Sequence, residues 1–246
     1  KQAGVPLGVM LAGLLLPLAY AQFGWQATVG LVAAAALVLA GVLQPAVRAL
    51  DPSTPGTVPS AAAGGLAATL RDRDVRRVSL MSFAYAMTQQ GFVTFVVSLL
   101  HLERGLPLAA AAGLLAASQV LCTGVRIGLG HVADRWITPR VLLGVLGWAM
   151  SASCLALALL PADAALPLVT LVVLACGATA MGWNGVFFAE LVRVVPRERV
   201  AAAAGGSQFF TFGGAMLGPV LFGAIVHFGG SYALGYALFS VLGAAA

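Results

Sequence analysis

Charge is scarce in this sequence. Of 246 residues, 13 are Lys or Arg and 8 are Asp or Glu; 9% are charged, 61% are hydrophobic and the mean hydropathy is +0.99. A soluble domain carries about 25% charged residues. A chain this poor in charge cannot cover a water-facing surface, which excludes an ordinary soluble globule. Cysteine is scarce too. Cys122, Cys154 and Cys176 lie inside apolar runs, and none has metal-ligand spacing with a His or another Cys. Carboxylates are missing from the middle of every apolar run: Glu190 and Asp134 stand at run ends, Glu103 and Asp163 in connections. There is no HExxH helix, no paired intramembrane Asp and no Ser with a near His, so we expect neither an enzyme nor a cofactor. No basic stripe stands apart from a membrane explanation, which argues against a nucleic-acid partner.

What the sequence has instead is length of apolar run. A membrane helix needs about 20 mostly apolar residues. Eight runs qualify, near 4–22, 27–43, 78–100, 107–130, 139–160, 166–192, 200–226 and 232–246. They are too long, and alternate too little, for barrel strands. The first run leads directly into the second, so it is not a cleaved leader. The start at Lys1 and the short last run ending Gly243-Ala244-Ala245-Ala246 lead us to expect a piece of a longer chain. Threading eight crossings divides the connections between two sides. Of the 13 basic residues, Arg104 alone falls on one side. The rest, including Arg71, Arg73, Arg76, Arg77, Arg135, Arg140, Arg193, Arg197 and Arg199, fall on the other, which the positive-inside rule makes cytoplasmic. A multi-pass protein of the cell (inner) membrane, with the lipid bilayer as its surroundings, is the expectation.

One connection is long. Residues 44–77 contain Pro45, Pro52, Pro55 and Pro59, which argue against a packed domain. Leu66 to Arg77 could form an interfacial helix with Asp72 and Arg76 at i,i+4. The expected units are therefore 1–43, the loop 44–77, and a six-helix bundle over 78–246. Shifting the first unit onto the last pairs Gly8 with Gly213, Gly13 with Gly218, Phe23 with Phe228, Gly24 with Gly229 and Gly30 with Gly235. Parallel six-helix repeats joined by a long cytoplasmic loop are a transporter plan.

The connection Gly130-His131-Val132-Ala133-Asp134-Arg135-Trp136-Ile137-Thr138-Pro139-Arg140 resembles the signature loop G-x-[LV]-A-D-R-x-G-R-[RK] of the major facilitator superfamily. Ile137 stands where the signature has Gly, and Thr138 where it has a basic residue. Pro196 to Gly205 is similar to the family's P-x-x-R-x-x-A-x-G stretch, and Gly214, Gly218 and Pro219 to its small-residue motif in helix eleven. The resemblance covers the whole chain. It implies an all-α membrane protein: eight transmembrane helices, family helices five to twelve, of a twelve-helix, two-bundle transporter fold whose first four helices are absent. It also implies that the signature loop latches the two halves on the cytoplasmic side. Gly130, Asp134, Arg135 and Glu190 are the expected gate residues.

Polar residues inside the runs are the candidate solute contacts. Ser118, Gln119, Cys122, Thr123 and Arg126 share one helical face, which should meet a wet cavity. Arg126 lies about a turn inside the membrane, where charge is expensive and usually functional. It snorkels to the cytoplasmic interface, pairs with Glu190 or Asp134, or serves as counter-ion to an organic anion. Ser82, Tyr85, Gln89 and Phe92 make a second such face. Asn184, between Gly182 and Gly185, needs a partner and sits where the helix can break locally. The expected solute-binding residues are Gln89, Tyr85, Gln119, Arg126 and Asn184. Glu190 is the candidate proton-titrating group if transport is proton symport. The expected function is secondary active transport of a small solute by alternating access. The competing reading is a non-transporting receptor or scaffold on the same fold.

Overall fold

The computed structural model describes residues 4–50, 65–161 and 163–245. Its regular elements are α1 (Gly4–Leu50), α2 (Gly65–Arg71), α3 (Arg73–Ser98), α4 (Leu108–Arg135), α5 (Pro139–Leu159), α6 (Leu166–Gly182), α7 (Asn184–Val194), α8 (Val200–Gly229) and α9 (Tyr232–Ala245). A π-helical turn over Leu99–Glu103 and a 3-10 turn over Arg197–Arg199 complete them, and no strand occurs among the described residues. In a bilayer each backbone N–H and C=O must be paired within its own segment, and the helix does this. Six of these segments are long and apolar enough to cross a membrane: Leu18–Pro45, Arg73–Glu103, Leu108–Arg135, Pro139–Leu159, Leu166–Val194 and Arg197–Gly229.

The first two expected runs form α1, which is broken at Gly24 (φ 74°, ψ 175°). Only glycine adopts that conformation readily. The α8–α9 turn uses Gly230 in the left-handed region (φ 69°), next to the Gly229 that the internal repeat pairs with Gly24. The sixth run is likewise two segments, α6 and α7, meeting at Trp183. Two expectations need correction. Residues Leu66 to Arg77 do not form one helix, and Asp72 does not pair with Arg76. Asp72 is the N-cap of α3; its Oδ1 accepts from the backbone N–H of Asp74 (3.0 Å) and Val75 (3.2 Å), while Arg76 donates to the Leu70 carbonyl. A carboxylate beside free helix N–H groups finds better partners there than one solvated guanidinium. The expected eleven-residue connection also shrinks. Gly130 to Arg135 continue α4, leaving Trp136 to Thr138 to join it to α5. The rest of the long connection, residues 51–64, lies outside the described residues.

The bundle is built on the α3–α8 pair. A Cβ on Gly214 would collide with the Phe83 carbonyl, and one on Gly218 with the Met87 carbonyl. The two backbones thus touch through missing side chains, the usual device of membrane helix contacts. That closeness lets short hydroxyls bridge: Ser79 and Ser207 Oγ are 2.8 Å apart, and Thr211 Oγ1 donates to Ser82 Oγ at 2.9 Å. Helix α5 packs on α9 and α6, α4 on α6, and α2 on α8. At the end of the bundle where α3 gives way to α4, Arg104 donates to the carbonyls of Leu160 and Pro161 at the C-terminus of α5. The favourable sign of that arrangement follows from the helix dipole. Glu103 accepts the Tyr232 N–H at the start of α9 (2.9 Å).

The glycine contacts give a direct check. Gly214→Ala should lower unfolding stability in detergent by about 1–3 kcal/mol. Gly205→Ala, which meets open space, should leave the thermal midpoint unchanged or raise it slightly. Equal midpoints for the two variants would disprove the backbone contact.

Candidate functional site

Three clusters of polar groups stand out within the apolar bundle. The first surrounds Gln89. Its Oε1 accepts from Trp183 Nε1 (3.1 Å) and from Asn184 Nδ2 (3.2 Å). Both donors stand where α6 meets α7, and Trp183 there keeps helical backbone angles (φ −72°, ψ −25°). Tyr85, one turn earlier on α3, is buried, sets its ring edge-on to Trp183 (centroids 5.6 Å apart) and donates its hydroxyl to the Leu143 carbonyl at 2.7 Å. So three of the expected solute contacts, Gln89, Asn184 and Tyr85, already hydrogen-bond between helices. Ser82, from the same α3 face, bonds Thr211, and Phe92 is buried in the core.

The second cluster lies at the end of the bundle where α3 and α5 begin. A cavity of about 370 Å³ is bordered by Asp74 and Arg77 of α3, Arg140 of α5 and Glu190 of α7. These residues come from distant parts of the sequence, and their meeting agrees with the charge split that assigned all of them to one side. Glu190 is buried, and its Oε2 takes Arg193 Nε at 3.0 Å. Gly130 is half-buried, Asp134 and Arg135 are exposed, and neither Asp134 nor Arg135 makes an ion pair among the described residues. His101, His131 and His227 are exposed.

The third is a cavity of about 890 Å³ between α1 and α4. Its wall on α1 runs from Ala12 past Tyr20, Trp25 and Thr28 to Ala36; its wall on α4 runs from Ala112 to Gln119. A straight helix from Ala12 to Ala36 would be ~36 Å long, whereas Ala112 to Gln119 spans only ~10 Å. The two arms of α1 therefore bend at Gly24 around one space. Gln119 is 1% exposed, and its Nε2 is buried without a hydrogen-bond partner among the described residues. An unmet buried donor costs about 1–3 kcal/mol; the Ser151 and Tyr236 hydroxyls are buried without a partner among the described residues too, but neither lines this cavity.

The rest of the α4 stripe does not face this cavity. Ser118 packs on α6 where Gly177 leaves room, since a Cβ there would stand 2.6 Å from the Ser118 Cβ. Ser118 and Thr123 donate to the Leu115 and Gln119 carbonyls of their own helix. Arg126 is 9% exposed and its Nε donates to the Met181 carbonyl of α6 at 2.7 Å. Glu190 is engaged by Arg193. Ser118 and Arg126 of the stripe thus meet α6, and Gln119 lines the cavity. The residues missed by sequence reasoning are Tyr20, Trp25 and Thr28 on α1, and Arg77 and Arg140 in the charged cavity. The α1 residues fall at roughly helical spacing, Ala12, Leu16 and Tyr20 then Thr28, Val32 and Ala36, but that spacing is invisible in a run apolar on all faces. Among the described residues no group of His, Cys, Asp and Glu could hold a metal ion.

These features define a class of membrane protein: helices with glycine-packed seams, a cavity between two helix groups, and charge gathered at one end. The profile of the Major Facilitator Superfamily matches residues 1–219, and the chain belongs to that family. It is an integral, multi-pass membrane protein. The crystal structure of a variant of the E. coli fucose:proton symporter FucP matches its fold with a TM-score of 0.63 at 16% sequence identity, over 74% of this chain and 43% of the symporter. The chain thus spans less than half the length of that protein. No curated protein matches the sequence.

The Gln89 cluster can be tested by a double-mutant cycle. Gln89→Leu and Asn184→Leu should each lower stability in detergent. Their combined effect should fall short of the sum by roughly 0.6 kcal/mol, the typical coupling of a membrane hydrogen bond. Strict additivity would show that the two side chains are not bonded.

Proposed function

We propose that the protein is a secondary transporter of the cell (inner) membrane that moves a small solute by alternating access, two helix groups rocking about a cavity between them. The observation that carries this is the 890 Å³ cavity between α1 and α4. Its place between the expected units 1–43 and 78–246 is where such a carrier holds its solute. Members of this family are carriers rather than enzymes, and the chemistry of the cavity suits binding: an unmet amide and aromatic edges, with no nucleophile beside a base. Gln119 is the solute contact we retain. Gln89, Asn184 and Tyr85 act as the joint that keeps α7 against α3, and Arg126 ties α4 to α6.

The cytoplasmic gate is the charged cavity. Asp74, Arg77, Arg140 and Glu190 close one end of the bundle, and the signature residues Gly130, Asp134 and Arg135 end α4 on the same side. Closing the inward face would bring exposed Asp134 against the positive N-terminal end of α1, whose dipole favours a carboxylate. Glu190 is the buried carboxylate among the described residues. If the carrier is a proton symporter, as its structural neighbour is named, Glu190 is the group in this chain placed to take the proton.

The test uses the intact protein in proteoliposomes loaded with a mixture of neutral and anionic metabolites, with exchange read by mass spectrometry. At least one solute should exchange faster than in protein-free vesicles, and accumulation should collapse with a protonophore if protons drive it. Glu190→Gln should then reduce driven accumulation at least tenfold while leaving solute binding intact. Tight solute binding with no exchange would identify the receptor alternative instead.

A further inference from the structure

We infer that the cavity between α1 and α4 takes a neutral, largely apolar solute with one hydrogen-bonding oxygen, which docks on Gln119, in place of the organic anion that Arg126 suggests in the sequence. The inference rests on the carrier reading for calling this cavity the solute site, and on the cavity's own chemistry for the class of solute.

The wall carries no charged side chain; it is built of Ala, Leu and Val with Tyr20, Trp25, Thr28 and Gln119. An anion placed there would lose its water without meeting a cation, and such a transfer is strongly unfavourable. Arg126 lies two turns further along α4 from Gln119, is not part of the wall, and has its Nε on the Met181 carbonyl. Turning it into the cavity would strip α6 of that bond.

What the wall does present is one buried amide. Gln119 Nε2 has no partner among the described residues, whereas the neighbouring hydroxyls of Ser118, Thr123 and Thr28 are bonded to backbone carbonyls of their own helices. A primary amide offers N–H donors beside a carbonyl acceptor and exposes either by rotation. It recognises a carbonyl, ether or hydroxyl oxygen and gives no preference to charge. Tyr20 and Trp25 line the same cavity from α1 and add aromatic surface to it. The volume of about 890 Å³ lies in the upper range for small-molecule sites. Such sites are mostly apolar, with few polar groups that set orientation.

The experiment is equilibrium binding to the intact protein in nanodiscs, corrected for protein-free nanodiscs. Three probes of one size are used: 2-acetylnaphthalene, a neutral ketone; 2-naphthoate, its anionic counterpart; and 2-ethylnaphthalene, which lacks the oxygen. The expected order is ketone tightest, with the hydrocarbon about tenfold weaker, the factor of one hydrogen bond. Gln119→Leu should erase that tenfold difference by weakening the ketone alone, and Trp25→Phe should leave it in place. Arg126→Gln should not change the ketone's affinity relative to the hydrocarbon. Tighter binding of 2-naphthoate, or a ketone preference that survives Gln119→Leu, overturns the inference. Failure of all three to bind the folded protein overturns it too, since the cavity is then filled by the protein's own helices. Ketone binding that depends on Gln119 but produces no flux in proteoliposomes upholds the solute class and removes the carrier reading, so the two failures are told apart.

Discussion

Inside a bilayer there is no water to satisfy a polar group, and that constraint orders the whole bundle. Four polar side chains on α3 are matched to neighbouring helices: Ser79 to Ser207, Ser82 to Thr211, Tyr85 to the Leu143 carbonyl, Gln89 to Trp183 and Asn184. Each such bond is individually weak in a membrane, about 0.6 kcal/mol. Together they set the register of α3 against α8 and α7, which packing of Leu on Leu would leave free to slide. The glycines make the matching possible. Without Gly214 and Gly218 the α3 and α8 backbones could not approach closely enough for serine and threonine hydroxyls to reach across.

The same constraint makes the exceptions informative. The Gln119 amide nitrogen and the hydroxyls of Ser151 and Tyr236 are buried without a partner among the described residues, and of these Gln119 lines the cavity between α1 and α4. The bonds that hold the bundle and the unmet amide of Gln119 are chemically alike. They differ only in whether the fold has supplied a partner.

Charge follows a different logic and sorts to the ends. Arg104 and Glu103 tie down helix termini on one side, while Asp74, Arg77, Arg140 and Glu190 gather on the other. At the ends water and headgroups can solvate what the interior cannot, so rearranging ion pairs there is inexpensive. A device that must open and close is more economically placed at such a rim than at the buried contact where Arg126 meets α6.

The sequence by itself determined that the chain is helical and crosses a membrane, that its basic residues gather in alternate connections, and that the first two runs are interrupted near Gly24. These properties are local: they depend on run length, on the sign of charge in each connection, and on glycine at a turn. The family signature from Gly130 to Arg135 was legible for the same reason, although its residues turned out to finish α4 instead of forming a loop. The roles of the polar residues were decided only by the tertiary structure. Gln89 and Gln119 look equivalent in sequence, each near the middle of an apolar run, yet one is bonded to Trp183 and Asn184 and the other opens onto a cavity. Likewise Arg126 reads as a solute-binding charge until Met181 is found beside it. A helix's own pattern tells which residues share a face. It does not tell what stands opposite that face, because the partner comes from another helix whose distance and rotation are set by packing.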